Sequence, residues 1–272
     1  MGKLEGRVAF ITGAARGQGR AHAVRLAQEG AAIVAIDICA QLPMVPYPMP
    51  TPADLEETAN LVKAAGGDVQ VSVADVRDLD QVQAAVAAGI ERFGHIDIAL
   101  ANAGIILSGT TDEDDVAAFR LGIDVLLGGV WNTLRAVVPH MVERQSGVIV
   151  ATSSTAGLKA FTDGRGGTDA YTCAKTAIVG LVKAYAAYLG PHNVRVNAVA
   201  PTGVNTPMIT ENPALFEIIM EHPHLQASMT NSLPVEMIQP SDVSDVVAFL
   251  VSDDARYLTG STIAVDAGAM AR

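Results

Sequence analysis

Short apolar runs alternate with helical stretches from one end of this chain to the other, and that alternation restricts the fold more than any other feature. Arg7–Thr12 reads as a strand covered on both faces, Gly17–Gln28 as a helix ended by Gly30, and Ala32–Asp37 as a second strand. The series continues with a helix over Ala53–Ala65, a strand at Val69–Ala74, a helix over Leu79–Phe93 and a strand at Asp97–Ala101. Two helical stretches fall within Asp112–Gln145, followed by a strand at Gly147–Ser153, a helix over Ala170–Leu189 and a strand at Val194–Val199. A helix at Ser241–Ser252 and a strand at Thr262–Val265 close the pattern. Repeated β-α units imply a parallel sheet with right-handed crossovers and helices on both faces, the doubly wound α/β (Rossmann) class.

Two segments break the rhythm. Residues 39–52 carry prolines at 43, 46, 48, 50 and 52. Proline lacks a backbone donor and cannot sustain a helix or a central strand, so this is read as an ordered or semi-ordered inserted loop. Residues 206–233 are mixed in polarity and irregular in pattern. Nothing resembles an interdomain linker, and residues 1–272 are read as one domain.

Charge narrows the partners. The net charge is −11 and the pI about 4.9, which argues against nucleic acid and against anionic membrane. No uninterrupted apolar run of membrane-spanning length and no secretory signal is visible, so a cytoplasmic protein is expected. Cys39 and Cys173 are too far apart to read as a disulfide framework or zinc site, and read as small apolar fillers in a reducing compartment.

The first strand runs into Thr12-Gly13-Ala14-Ala15-Arg16-Gly17-Gln18-Gly19. Glycines at 13, 17 and 19 let the backbone turn tightly and approach a pyrophosphate, while the following helix aims its free N–H groups at the anion. A glycine triplet alone is weak, but it opens the first β-α unit of an alternating chain, the context that gives it meaning. Asp37 ends the second strand, about 20 residues on, where a carboxylate accepts from ribose hydroxyls and repels a 2′-phosphate. Arg16 is the one nearby cation favouring the phosphorylated cofactor. Asp37 is the stronger influence, so NAD is expected. Asp75-Val76 and Asn102-Ala103-Gly104 close the third and fourth strands, at the same rim of the sheet, with Asp75 in reach of an adenine amino group.

Tyr171 and Lys175 are four residues apart at the start of a helix and share a face. Ser153-Ser154 ends the fifth strand. A hydroxyl donor, a phenol and a cation therefore meet at one rim. Oxidising an alcohol needs a base for the O–H proton, and a phenol of ordinary pKa ~10 needs about 4 kcal/mol to reach ~7. One cation at ~4 Å and an effective dielectric of ~20 supplies up to about that much. Lys175, together with the positive ring of NAD⁺, is expected to ionise Tyr171, with Ser154 holding the substrate oxygen.

These residues together resemble the short-chain dehydrogenase/reductase family over nearly the whole chain, from about Lys3 to Met270. The resemblance rests on Thr12-Gly13 through Gly19, Asp37, Asp75-Val76, Asn102-Ala103-Gly104, Ser153-Ser154, Tyr171, Lys175 and Pro201-Thr202-Gly203. It implies strand order 3-2-1-4-5-6-7, Tyr171 as acid/base, Ser154 as substrate-orienting group and Lys175 as ribose ligand. It implies cofactor contacts from Gly13, Arg16, Gly17, Gln18, Gly19, Asp37, Ile38, Asp75, Val76, Asn102, Ala103, Gly104, Pro201, Val204, Thr206 and Met208, and a homotetramer. Gly13 through His22, Asp37-Ile38-Cys39 with the proline insert, and Pro201 through Met208 are similar to a mycofactocin-associated, carveol dehydrogenase-like subgroup. That likeness implies an insert covering bound NAD, a cofactor that does not exchange freely, and a separate redox carrier (mycofactocin) that reoxidises it.

Two departures stand out. The family's catalytic Asn, thirteen residues ahead of a proline, falls here on Leu126, counted from Pro139. Ser154 and Tyr171 are seventeen residues apart, a few more than usual, and the glycine-rich Thr162–Thr168 stretch is expected at the substrate entrance. In the family's lid position stand Met208, Ile209, Leu215, Phe216, Ile218, Ile219, Met220, Leu225 and Met229, which suit an apolar pocket and equally suit packing on the body or a neighbouring subunit. His222 and His224 lack a carboxylate pair at ligand spacing, so no metal is expected. The reading is a dehydrogenase for a small apolar secondary alcohol or its ketone, terpenoid- or steroid-like on the subgroup resemblance. The alternatives are an NAD-binding regulatory or scaffold protein weakened at Leu126, and an ordinary carbonyl reductase with exchanging cofactor.

Overall fold

A computed structural model describes residues 2–271. Seven parallel strands form one sheet in the order β3-β2-β1-β4-β5-β6-β7: β1 Val8–Thr12, β2 Ala32–Asp37, β3 Val69–Val73, β4 Ile98–Ala101, β5 Gly147–Thr152, β6 Val194–Pro201 and β7 Thr262–Val265. This is the expected doubly wound α/β fold in the expected strand order. The central strands β1, β4 and β5 are buried at every residue, which is why they read as unbroken apolar runs, whereas the edge strands β3 and β7 are mostly half-exposed.

Side chains divide between the two faces with the two-residue period of a strand. Phe10 and Ile36 pack on the face covered by α3 (Leu79–Phe93), α5 (Gly129–Arg144) and α6 (Gly166–Leu189). Ile11 and Ile33 pack on the face covered by α1 (Gly17–Gln28), α2 (Pro52–Ala64) and α10 (Pro240–Val251). Local signals set the helix ends. Thr51 and Asp54 form a reciprocal capping box with Pro52 at the first turn of α2, Asp78 caps α3, and Gly94 ends α3 in the left-handed region at φ 85°.

The structure refines three of the expectations. The two helical stretches in 112–145 are one continuous run: α4 (Asp115–Ile123) passes through a π turn (Asp124–Gly128) into α5. That run is long and apolar enough to cross a membrane by length and composition, but it packs against α3 and α6 as a core helix. Residues 206–233 are more regular than their pattern suggests, forming three short helices, α7 (Pro207–Thr210), α8 (Pro213–Glu221) and α9 (Pro223–Ser228). Each starts on a proline, whose missing N–H costs nothing at the first helical position. The Thr162–Thr168 stretch is divided, its first residues forming a loop and its last ones the start of a helix. Gly166 and Gly167 begin α6 pressed against the chain at Asp115 and Leu107, where a Cβ would lie 2.2 and 1.9 Å from carbonyl oxygens.

Candidate active site

The carboxyl ends of β1, β2, β3 and β4 surround a groove of about 860 Å³, counting its open mouth. Its lining includes Gly13, Arg16, Gly17, Gln18, Gly19, Asp37, Ile38, Asp75, Val76, Asn102, Ala103, Gly104, Thr206 and Met208. Fourteen residues singled out from sequence thus fall on one surface. Gly13 and Gly17 have φ values of 67° and 56°, and a Cβ on Gly19 would lie 2.0 Å from the Gly13 carbonyl oxygen. Any side chain there would close the cradle. Gln18 brings a buried Oε1 with no hydrogen-bond partner among the described residues. A narrow glycine cradle at a helix N-terminus, a strand-end carboxylate and an orphaned polar atom fit a dinucleotide.

Asp37 also braces the loop, its Oδ2 accepting from the Ala15 N–H at 2.9 Å. Burial raises its pKa above the usual carboxylate value, against hydrogen bonds from the Ala15, Cys39 and Ile38 amides. Arg16 lines the groove and donates to the Pro48 carbonyl in the proline-rich insert. Asn102 ties three strand ends together: its Nδ2 donates to the Thr12 carbonyl at 3.0 Å and its Oδ1 accepts from Thr152 Oγ1 at 3.3 Å. Asp75 lines the groove, but its carboxylate is committed to Arg77 (Nε at 2.9 Å, Nη2 at 2.5 Å) rather than free toward an adenine. Pro201 and Val204 line neither this groove nor the cavity beside it. Pro201 ends β6 against Val265, and Val204 is buried in a bridge to Ile238, so both hold the turn in place.

The insert forms one wall. Leu42, Tyr47, Met49 and Pro50 line the groove, and Leu42, Val45 and Tyr47 join the hydrophobic core. Gln41 staples the loop, its Nε2 reaching the carbonyls of Leu42, Val45 and Tyr47 and its Oε1 accepting from the Met49 N–H at 3.0 Å. The Tyr47 hydroxyl accepts from the Ile106 N–H at 3.2 Å, and burial pushes its pKa far up. From sequence the insert stood out as a block, through its prolines. Which of its residues face the groove depends on the body it packs against.

A second cavity of about 510 Å³, again counting its mouth, meets the groove at Met208. Ser154 and Tyr171 stand on its wall with Ile106, Phe161, Ile209, Leu215 and Met229. Of the serine pair, Ser153 turns away and donates to the Lys175 carbonyl at 2.8 Å. Ser154 accepts from the Ala156 N–H at 3.1 Å, leaving its own hydroxyl hydrogen to give. Phe161 packs edge-on against the Tyr171 ring at 6.2 Å between centroids. Sequence reasoning missed Ile106, Thr155, Ala156, Lys159, Phe161 and Ser228 on this wall, and noted Thr202 only as part of the Pro201-Thr202-Gly203 motif.

The electrostatics differ from the sequence expectation. Lys175 Nζ lies 5.6 Å from the Tyr171 ring centroid and donates to the Thr152 carbonyl at 2.7 Å. It lines neither cavity, lying just behind Gly104, where a Cβ would meet it at 3.8 Å and Leu126 Cδ2 at 3.1 Å. Burial lowers the Lys175 pKa to about 8. Burial also raises the Tyr171 pKa, and a hydrogen bond from Ser154 pulls it back only in part. In the protein alone, then, desolvation outweighs the Ser154 hydrogen bond and holds the phenol's pKa above its ordinary value, opposite to the expected direction. Leu126 sits fully buried in the π turn.

Residues 13–270 match a family model described as enoyl-(acyl carrier protein) reductase. The (−)-trans-carveol dehydrogenase of Rhodococcus erythropolis is 42% identical over 278 aligned positions, covering 98% of this chain and 99% of that protein. The chain belongs to the short-chain dehydrogenase/reductase family. Among solved members, a short chain dehydrogenase from Mycobacterium paratuberculosis bound to NAD superposes with a TM-score of 0.94 at 43% identity, each chain covered completely. Carveol dehydrogenase from Mycobacterium avium in complex with NAD gives 0.92 at 43% identity, again with complete coverage.

Proposed function

We propose that this chain is an NAD-dependent oxidoreductase that interconverts a hydrophobic secondary alcohol and its ketone, with Tyr171 as acid/base. The observation that carries the reading is the meeting, at Met208, of a glycine-cradled groove with an apolar cavity holding Tyr171 and Ser154. The NAD-bound relatives and the carveol dehydrogenases support the cofactor and the substrate class. Gly13, Gly17, Gly19, Asp37 and Gly104 would hold the dinucleotide, which supplies the hydride acceptor and a positive ring beside the phenol. Ser154 donates to the substrate oxygen, and Tyr171 takes the hydroxyl proton. Thr152 fixes one N–H of Lys175, leaving two for ribose hydroxyls.

The staple at Gln41 and the Arg16–Pro48 bond support an insert that retains the cofactor, which a separate carrier such as mycofactocin would then reoxidise in place. A homotetramer, as the family resemblance implies, completes this reading. Purified protein mixed with a secondary alcohol should gain the near-ultraviolet absorbance of a reduced nicotinamide. Tyr171→Phe should lose at least about 10²-fold in that rate with NAD affinity unchanged, and wild-type turnover in the variant would end the proposed mechanism. A second reading, a nucleotide-binding protein without turnover, is favoured by one observation: apolar Leu126 stands with Lys175 around Gly104, each within 4 Å of where a Cβ there would lie.

A further inference from the structure

The cavity that holds Tyr171 and Ser154 contains a cation for which the reaction at those two residues has no use. Lys159 is the one basic residue on its described wall. It stands just beyond the short turn Thr155–Gly157 that follows Ser154. Its ammonium is half-buried and donates to the Ala269 carbonyl of the C-terminal turn at 2.9 Å. No ion pair reaches it among the described residues. Asp266, the carboxylate whose field bears on it, accepts instead from the Gly268 N–H at 3.1 Å and the Met270 N–H at 2.7 Å. Burial accordingly holds the Lys159 pKa below its ordinary value, with Asp266 offsetting only part.

An ammonium with one neutral acceptor keeps two donors. A partly dehydrated charge without a counter-charge is a standing cost that an incoming anion relieves. The neighbouring wall of Ile106, Phe161, Leu215 and Met229 is apolar. A ligand matched to this surface has a hydrocarbon body, an oxygen for Ser154 and Tyr171 at one end, and a single negative charge elsewhere. One cation suits a monoanion and leaves a phosphate dianion under-compensated.

We propose that Lys159 is a specificity-determining residue and that the cavity takes alicyclic hydroxy acids and their keto acids, with the carbinol carbon at Tyr171 and the carboxylate on Lys159. This rests on the alcohol–ketone reading above and narrows its substrate class. The alcohol carbon still loses hydride to NAD⁺ and its hydroxyl proton to Tyr171; the carboxylate does not react.

The test uses NAD⁺-saturated protein, so that a ketone binds without being reduced. Affinities for a cyclohexanone carboxylate and for the neutral methyl-substituted cyclohexanone of the same ring are measured by calorimetry. A charge-assisted hydrogen bond should favour the carboxylate by about ten- to a hundredfold. Lys159→Met should erase that preference and leave the neutral ketone's affinity in place, and Lys159→Arg should retain part of it. Equal affinities in the wild type would overturn the proposal. So would a Lys159→Met variant that weakens both ligands alike, the behaviour of a residue that only fastens the C-terminal turn. Oxidation of the neutral cyclohexanol is followed separately. Its absence would count against the parent reading while the calorimetric comparison still decides Lys159.

Discussion

Leu126 is buried at the π turn, and its Cδ2 and Lys175 Nζ both lie within 4 Å of where a Cβ on Gly104 would stand. A leucine offers nothing to a proton leaving Tyr171 by way of Lys175, so the route beyond the ammonium is apolar. If proton exit limits turnover, Leu126→Asn should raise kcat by about tenfold, a small share of the roughly 10²–10⁴ that acid–base groups contribute. A buried amide without full partners costs about 1–3 kcal/mol, so the variant should also melt earlier. An unchanged kcat with an unchanged solvent isotope effect would place the limiting step elsewhere. A silent wild type that becomes active would favour the reading of this chain as a nucleotide-binding protein. The three glycines were legible because each serves the turn in which it stands, and Asp37 because a strand-end carboxylate at that distance from a glycine loop has a fixed place in the fold. Lys159 and Tyr47 were not, because a lysine after a turn and a tyrosine among prolines acquire meaning only from the distant segments that bury them.

At the scale of elements, the insert and the lid show why pattern alone stops short. The lid residues were equally suited to lining a pocket and to packing, and the structure divides them. Met208, Ile209, Leu215 and Met229 line the cavity, Ile218 and Leu225 enter the core, and Phe216 and Met220 stay exposed. That division follows from the three proline-initiated helices, whose axes no periodicity within so short a segment can fix. The lid also reaches the loop before α6, where His224 Nε2 bonds the Thr162 carbonyl at 2.7 Å. In the insert, Gln41 Nε2 is shared among the carbonyls of Leu42, Val45 and Tyr47 and its Oε1 accepts from the Met49 N–H, tying together a segment whose prolines keep it out of regular structure. Gln41→Ala should strand those groups and loosen the wall formed by Tyr47 and Met49. The expected outcome is faster loss of co-purified NAD during dialysis, by about tenfold for each 1.4 kcal/mol lost, followed by mass spectrometry. Retention equal to wild type would show that the insert's packing on the core, not its staple, holds it in place.

Across the whole molecule, the face opposite α3, α5 and α6 carries a pH-sensitive joint. His22 on α1 is buried against α10, its Nδ1 2.8 Å from Ser244 Oγ and its Nε2 without a partner among the described residues. Burial lowers its pKa from 6.5 to about 4. Between those values the unfolded chain binds a proton that the folded chain refuses, so stability is complete above pH ~6.5 and declines as pH falls toward ~4. The slope approaches about 1.4 kcal/mol per pH unit, and the full loss is about 3 kcal/mol. Asp37 acts in the opposite sense, because its raised pKa makes the folded state the better proton acceptor at low pH. The measurement is therefore a difference: urea unfolding of wild type and His22→Gln at pH 7, 6 and 5. The variant begins less stable at pH 7, having lost a fitted side chain, and its deficit should shrink by about 1 kcal/mol per unit of acidification as the wild type alone suffers the histidine's ionisation. Two stability curves running parallel from pH 7 to 5 would mean that His22 takes its proton in the folded chain as readily as in the unfolded one, and that the α1–α10 joint is not as dry as its geometry indicates.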